Sequence, residues 1–152
     1  IMRKLKGLED AIGLSVVHPE IYHNGWVFSD EPGCILDSIN HASYLWEIYL
    51  KADADYSGRV TVPVLWDKQT GTIVNNESRE IIRMFDTQFE GIAKSDANFY
   101  PDELRWAIDQ TIDAIYQPIN NGVYRAGFAT TQIAYEEGVT DLFNALDYWD
   151  EV

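Results

Sequence analysis

Val60-Thr61-Val62-Pro63-Val64-Leu65-Trp66, then Asp67-Lys68-Gln69-Thr70-Gly71, then Thr72-Ile73-Val74-Asn75-Asn76-Glu77-Ser78, is the stretch on which the fold turns. Two β-branched, apolar runs joined by a polar turn containing glycine predict a β-hairpin. Asn75-Asn76 offers a helix cap, and Glu77 to Phe89 continues as a helix with Ile81, Ile82, Met84, Phe85 and Phe89 on one face. Pro63 has no N–H, which is unusual inside a strand and leaves two readings. One is an edge strand. The other is a cis peptide between Val62 and Pro63, which would turn the Val62 N–H and C=O outward to pair with an extended ligand. Glu77-Ser78 also reads two ways. It is either plain capping, or a helix start whose amides and hydroxyl receive a carboxylate while Glu77 holds an ammonium, together fitting an amino-acid head group.

Outward from this stretch the chain changes character twice. Leu5, Leu8 and Ile12 lie at helical spacing, predicting an amphipathic helix over 2–12 weakened by Gly7; Leu14-Ser15-Val16-Val17 predicts a short strand. Residues 19–40, rich in Gly, Pro, Asp, Asn and Ser around Trp26 and Phe28, predict a long loop, and Tyr44, Leu45, Ile48 and Tyr49 a short helix after it. Past residue 75 no strand is predicted. Pro101 with Asp102 and Glu103 opens a helix striped by Leu104, Ile108, Ile112 and Ile115. A second helix near 131–150 carries Tyr135, Val139, Leu142, Phe143, Leu146 and Trp149. The expected organisation is α/β followed by all-α, with a boundary near residue 95: domain 1–95, interrupted by an insertion at about 19–58, and helical domain 96–152.

Composition excludes several functions. A formal net charge of −14, from 25 acidic against 11 basic residues, repels nucleic-acid backbones and anionic membranes, so neither is an expected partner. No apolar run is long enough for a transmembrane helix, and no signal-peptide core follows the first basic residues. The single cysteine, Cys34, cannot build a disulfide framework and suits a reducing, cytoplasmic compartment. His18, His23 and His41 lack metal-ligand spacing, so no metal is expected.

Gly58 to Lys68, Ile73 to Ser78 and Glu80 to Phe85 closely resemble the glutathionyl-hydroquinone reductases, the xi-class glutathione transferases. So do Ile119 to Gln132 and the opening Lys4-Leu5-Lys6-Gly7-Leu8-Glu9, and the resemblance runs through nearly the whole chain. It implies a thioredoxin-like domain followed by the first helices of a glutathione-transferase helical domain. It also implies reduction of glutathionyl-hydroquinones to hydroquinones, with glutathione as co-substrate, aromatic hydroquinone conjugates as partners, and a homodimer. Carried over residue by residue, Val62 and Pro63 would bind the cysteinyl backbone of glutathione and Glu77 and Ser78 its γ-glutamyl end. Trp26 and Arg59 would close over the rest, and Tyr124 would line the hydroquinone pocket. Each also has a structural reading: Trp26 packing the loop, Arg59 in a surface ion pair, Tyr124 between helices.

The resemblance departs at both ends: the family's last helices, beyond the one ending near Asp150, have no counterpart, and neither has its nucleophile segment. The family's Cys-Pro-Trp-Ala segment follows its first strand, and this chain opens inside the helix that comes next, so no catalytic residue is assigned within it. Cys34, in Pro32-Gly33-Cys34, lies in the insertion without the motif and is expected to be a bystander. The thioredoxin-like domain is therefore expected to be incomplete and the helical stripes underburied, so that the chain belongs to a longer protein or self-associates. A non-catalytic glutathione-binding or interaction module, or an inactive fragment, is the alternative function.

Overall fold

The computed structural model describes residues 1–152, which divide into two compact units, Ile1–Phe99 and Tyr100–Val152. In the first unit the elements are α1 (Met2–Leu5), α2 (Leu45–Ala52), β1 (Leu65–Asp67), β2 (Thr72–Asn75) and α3 (Ser78–Thr87).

The helix expected through Ile12 stops at Leu5. Gly7 takes a left-handed conformation, φ +62°, and the Leu8 N–H reaches Arg3 O at 2.9 Å while the Gly7 N–H reaches Lys4 O at 3.1 Å. Those paired bonds are a Schellman ending, which glycine allows at no steric cost. The turn swings Leu8 inward. Its side chain is fully buried and forms one core with Ile81 and Phe85 of α3, edged by Met2, Ile12, Leu65 and Phe89. Ile82, expected on the same face, is 48% exposed: it follows Ile81 by about 100° of helical rotation and falls off the stripe. Beside this core the Lys6 ammonium lies 3.0 Å from Asp86 Oδ1 of α3, with side chains 7% and 2% exposed. Lys6 Nζ also donates to Ala97 O, and Asp86 Oδ2 accepts the Phe99 N–H at 3.0 Å.

A second core gathers Ala42, Leu45, Ile48 and Tyr49, with Trp26, Phe28, Val60, Val64, Trp66 and Ile73 packed around it. β1 and β2 form the expected antiparallel hairpin, Leu65 opposite Asn75, Trp66 opposite Ile73 and Asp67 opposite Thr72. Its turn is tied by the Asp67 carboxylate, which accepts the Gln69 N–H at 2.8 Å and the Thr70 hydroxyl at 2.7 Å. The Thr70 hydroxyl, followed by the Gln69 amide, holds the Asp67 carboxyl below its ordinary range.

Three expected elements are shorter than their apolar runs. Residues 14–17 form no strand; Val16 makes a single antiparallel bridge to Ile35, with both N–H···O bonds at 2.9 Å. The run from Val60 becomes strand only at Leu65, because the Thr61 N–H and C=O are taken by the Tyr49 hydroxyl and Pro63 has no donor. The helix after Asn75-Asn76 has Glu77 at its N-cap position and ends at Thr87. The loop at 19–40 is more ordered than its composition implies. Val27 bridges to Tyr44, and the buried Asp37 carboxylate accepts the amides of Ile39, Asn40 and Ala42 at 3.1–3.2 Å, knotting the approach to α2.

In the second unit the helices are α4 (Arg105–Ile115), a π-helical turn (Tyr116–Asn120), α5 (Gly122–Gly127) and α6 (Gln132–Glu151). Pro101 does not open α4. It opens a turn in which the Leu104 N–H reaches Pro101 O at 2.9 Å, and Asp102 pairs with Arg105 Nη2 at 2.6 Å. The π turn and α5 went unread in the sequence. Pro118 explains the first, since its ring and missing N–H cannot continue the α-helical ladder. α6 begins at an N-cap Thr131 whose hydroxyl accepts the Ala134 N–H at 3.2 Å. α5 and α6 meet at small residues: a Cβ on Gly138 would lie 3.2 Å from the Ala126 Cα and N. Much apolar surface stays outside, with Trp106 77%, Phe128 76% and Ile133 71% exposed. No helix is long and apolar enough to cross a membrane.

Candidate functional site

The hairpin register fixes where the two signal stretches lie. Leu65 opposes Asn75, so Val62-Pro63, just before β1, and Glu77-Ser78, just after β2, emerge at the same end of the hairpin. The side chain of Tyr49, 2% exposed on α2, joins the residues that directly precede them. Its hydroxyl donates to Thr61 O at 2.8 Å and accepts from Asn76 Nδ2 at 3.1 Å and from the Thr61 N–H at 3.4 Å.

The Val62–Pro63 peptide is cis, the second of the two readings. Val62 is 45% exposed, and neither its N–H nor its C=O makes a hydrogen bond within the chain. A few residues upstream, Tyr56 donates its hydroxyl to Arg59 O at 2.7 Å. The Arg59 side chain is exposed and enters no ion pair, so the surface-pair reading does not hold for it.

At the start of α3 the expected Asn75-Asn76 cap is displaced: Glu77 takes the N-cap position, and no side chain caps the first turn. Asn75 Oδ1 accepts the Glu77 N–H at 2.7 Å, and the Glu80 and Ile81 amides return to Glu77 O at 3.1 and 3.0 Å. Glu77 occupies the N-cap position but makes no side-chain cap bond, and the Ser78 hydroxyl is exposed with no partner in the chain. An acceptor-only carboxylate, a hydroxyl donor and the unengaged Ser78 N–H are thus left at the positive end of a ten-residue helix. That set suits a ligand head group carrying both an ammonium and a carboxylate.

Residues 1–88 match the family model for the glutathione S-transferase N-terminal domain. The chain belongs to the glutathione S-transferase family. It is 51% identical over 153 residues to the Escherichia coli (strain K12) glutathionyl-hydroquinone reductase YqjG, covering 100% of this chain and 47% of that protein. It is 48% identical over 151 residues to the glutathionyl-hydroquinone reductase PcpF of Sphingobium chlorophenolicum, covering 99% of this chain and 48% of that one. The glutathione-bound structure of YqjG superposes with a TM-score of 0.91 at 51% identity, over 99% of this chain and 49% of that chain. The chain therefore spans about half the length of the curated relatives it matches. The fold is that of the thioredoxin-like glutathione-transferase N-terminal domain, with transferase helices after it.

Among the remaining candidates of this transferase chain, Trp26 is half-buried against the Leu45–Ile48–Tyr49 core, its carbonyl accepting the Leu45 N–H at 2.9 Å. The packing role foreseen for it is therefore present. Tyr124 lies on α5 in the second unit, 63% exposed and stacked on Phe128 with ring centres 6.3 Å apart, so it is not the interhelical packing residue of its structural reading. Cys34 is half-buried in the loop, its N–H donating to Glu31 O at 2.9 Å. Near it the His18 ring contacts Tyr22 at 4.9 Å. Burial, then the Glu31, Glu20 and Cys34 charges, pushes the Tyr22 phenol up. Tyr49, Tyr56 and Asn76 went unread as site residues. The one available signal was position: Asn76 lies inside a quoted motif, Tyr56 two residues before another, and Tyr49 on the helix packed beside the hairpin.

Proposed function

We propose that this chain supplies the glutathione-binding part of a glutathione-dependent reductase of glutathionyl-hydroquinones. The observation that carries the reading is the pair of unengaged groups at one end of the hairpin: the Val62 N–H and C=O, and the Glu77 carboxylate with the Ser78 N–H and hydroxyl. The cysteinyl segment of glutathione would lie antiparallel to Val62, exchanging two backbone bonds beside Pro63. Its γ-glutamyl end would place the ammonium on Glu77 and the carboxylate on Ser78 at the head of α3. Arg59, exposed and without an ion pair, would take the glycyl carboxylate, and Trp26 would pack over the peptide. Tyr124, a phenol presented to solvent, would hydrogen-bond the hydroquinone oxygen and pack against its ring.

In the reaction, a cysteine thiolate attacks the sulfur of the glutathionyl-hydroquinone. The sulfur–carbon bond breaks, an enzyme–glutathione disulfide forms, and the ring carbon takes a proton to give the hydroquinone. A second glutathione thiolate then resolves that disulfide and regenerates the enzyme thiolate. The attacking cysteine is assigned to a residue other than Cys34. A homodimer in a reducing, cytoplasmic compartment completes the proposal.

The test is the full-length protein incubated with glutathione and a glutathionyl-hydroquinone. Free hydroquinone and oxidised glutathione should appear in equal amounts, and Glu77→Gln should raise the KM for glutathione more than it lowers kcat. Glutathione binding without turnover would instead favour a non-catalytic binding module. No binding at all would overturn both.

A further inference from the structure

We infer that Tyr49 is a positioning residue for the glutathione site, the node that sets the distance between the Val62 backbone and the Glu77-Ser78 helix start. The inference rests on the proposed glutathione reading and adds to it a residue that touches no ligand. A phenol has one proton to donate and two lone pairs. The Tyr49 hydroxyl uses all three: it donates to Thr61 O at 2.8 Å and accepts from Asn76 Nδ2 at 3.1 Å and from the Thr61 N–H at 3.4 Å. Thr61 directly precedes Val62 and Asn76 directly precedes Glu77, so one buried atom is bonded to the neighbours of both ligand-facing stretches.

The Tyr49 ring is itself held. It lies 4.9 Å from the Tyr56 ring, and the Tyr56 hydroxyl fixes Arg59 O at 2.7 Å. Gly58 makes room for that hydroxyl, since a Cβ there would stand 2.6 Å from it. The two phenols thus pin Arg59 and Thr61 from the protein side and leave Val62 with no bond of its own. A tripeptide gripped at both stretches has a fixed length between them, so a shift of either stretch loses contacts that neither could recover alone.

The experiment uses Tyr49→Phe, Asn76→Ala and the double variant in the full chain, with glutathione affinity read by calorimetry and folding by thermal midpoint. Tyr49→Phe should weaken glutathione about tenfold at a temperature where it is fully folded. Asn76→Ala, at an exposed position, should weaken it several-fold in the parent but add nothing in the Tyr49→Phe background, because both cut the same link. The amide resonances of Val62 and Ser78 should shift together in Tyr49→Phe before any ligand is added. A lowered thermal midpoint with unaltered affinity, or independent additive losses, overturns the inference while leaving the site standing. Absence of glutathione binding by the parent overturns the site and the inference with it. Should Tyr49→Phe not fold, Asn76→Ala decides: unaltered affinity refutes the link.

Discussion

Replacing Lys6 by Met should cost the first unit about 3–5 kcal/mol, the usual penalty for stranding one member of a buried ion pair. Both side chains are almost wholly out of water, and the ammonium stands 3.0 Å from Asp86 Oδ1. At an effective dielectric of about 20 their attraction is roughly 5 kcal/mol, of the same order as the desolvation of each ion, so the intact pair is close to neutral. The single variant is not. Oδ1 has no aligned hydrogen-bond donor and relies on the facing charge, while Oδ2 keeps only the Phe99 N–H at 3.0 Å. The Ala97 O···Lys6 Nζ bond is lost as well. Urea unfolding followed by circular dichroism checks it. With a slope near 2 kcal/mol per molar, the midpoint should fall by about 2 M. Lys6→Met with Asp86→Leu should recover most of that, because no charge is then left buried. A single variant within about 1 kcal/mol of the parent, or a double variant as weak as the single, would refute the reasoning.

Leu8→Ala empties the one fully buried large side chain of the Leu8–Ile81–Phe85 core and should cost about 2–5 kcal/mol by the same unfolding assay. Asp37→Ala removes the acceptor for three backbone amides and should cost about 2–3 kcal/mol, with increased amide exchange confined to residues 37–42. Asp10 and Lys94 form an exposed pair in which the Lys94 hydrogen bond, then its charge, pulls the Asp10 carboxyl down. A depressed folded value means the stabilisation is present above pH 3.8 and lost as pH falls through the lower folded value. Asp10→Asn should therefore be less stable than the parent at neutral pH, equal to it in strong acid, and closer to it in high salt. A gap persisting in acid would refute the assignment.

The parts of the fold legible in the sequence were those whose signal is local. The hairpin, α3 and the long α6 announce themselves through periodicity and turn residues. The parts that misled were apolar runs whose backbone bonds go elsewhere. Val60 to Val64 has strand composition, but a tyrosine twelve residues upstream of Thr61 takes that residue's amide and carbonyl, and Tyr49 carries no mark of it in the sequence. Leu14 to Val17 finds one bridge partner, Ile35, across a loop whose closure depends on the Asp37 knot. A non-local hydrogen bond is invisible to a window of ten residues.

The same reasoning separates the two kinds of site residue. Val62, Glu77 and Ser78 were nameable because each sits where a local rule fails: a proline at a strand entrance, and cap-position side chains left over once Asn75 has taken the Glu77 amide. What such residues lack within the chain is what makes them available to a ligand. The residues that space them are the opposite case. Tyr49, Tyr56 and Asn76 satisfy one another and the backbone, so they look like ordinary core and turn positions until the bonds are traced. A search for ligand contacts alone passes over that group, because its bonds are made within the chain; yet moving it displaces both unsatisfied ends at once.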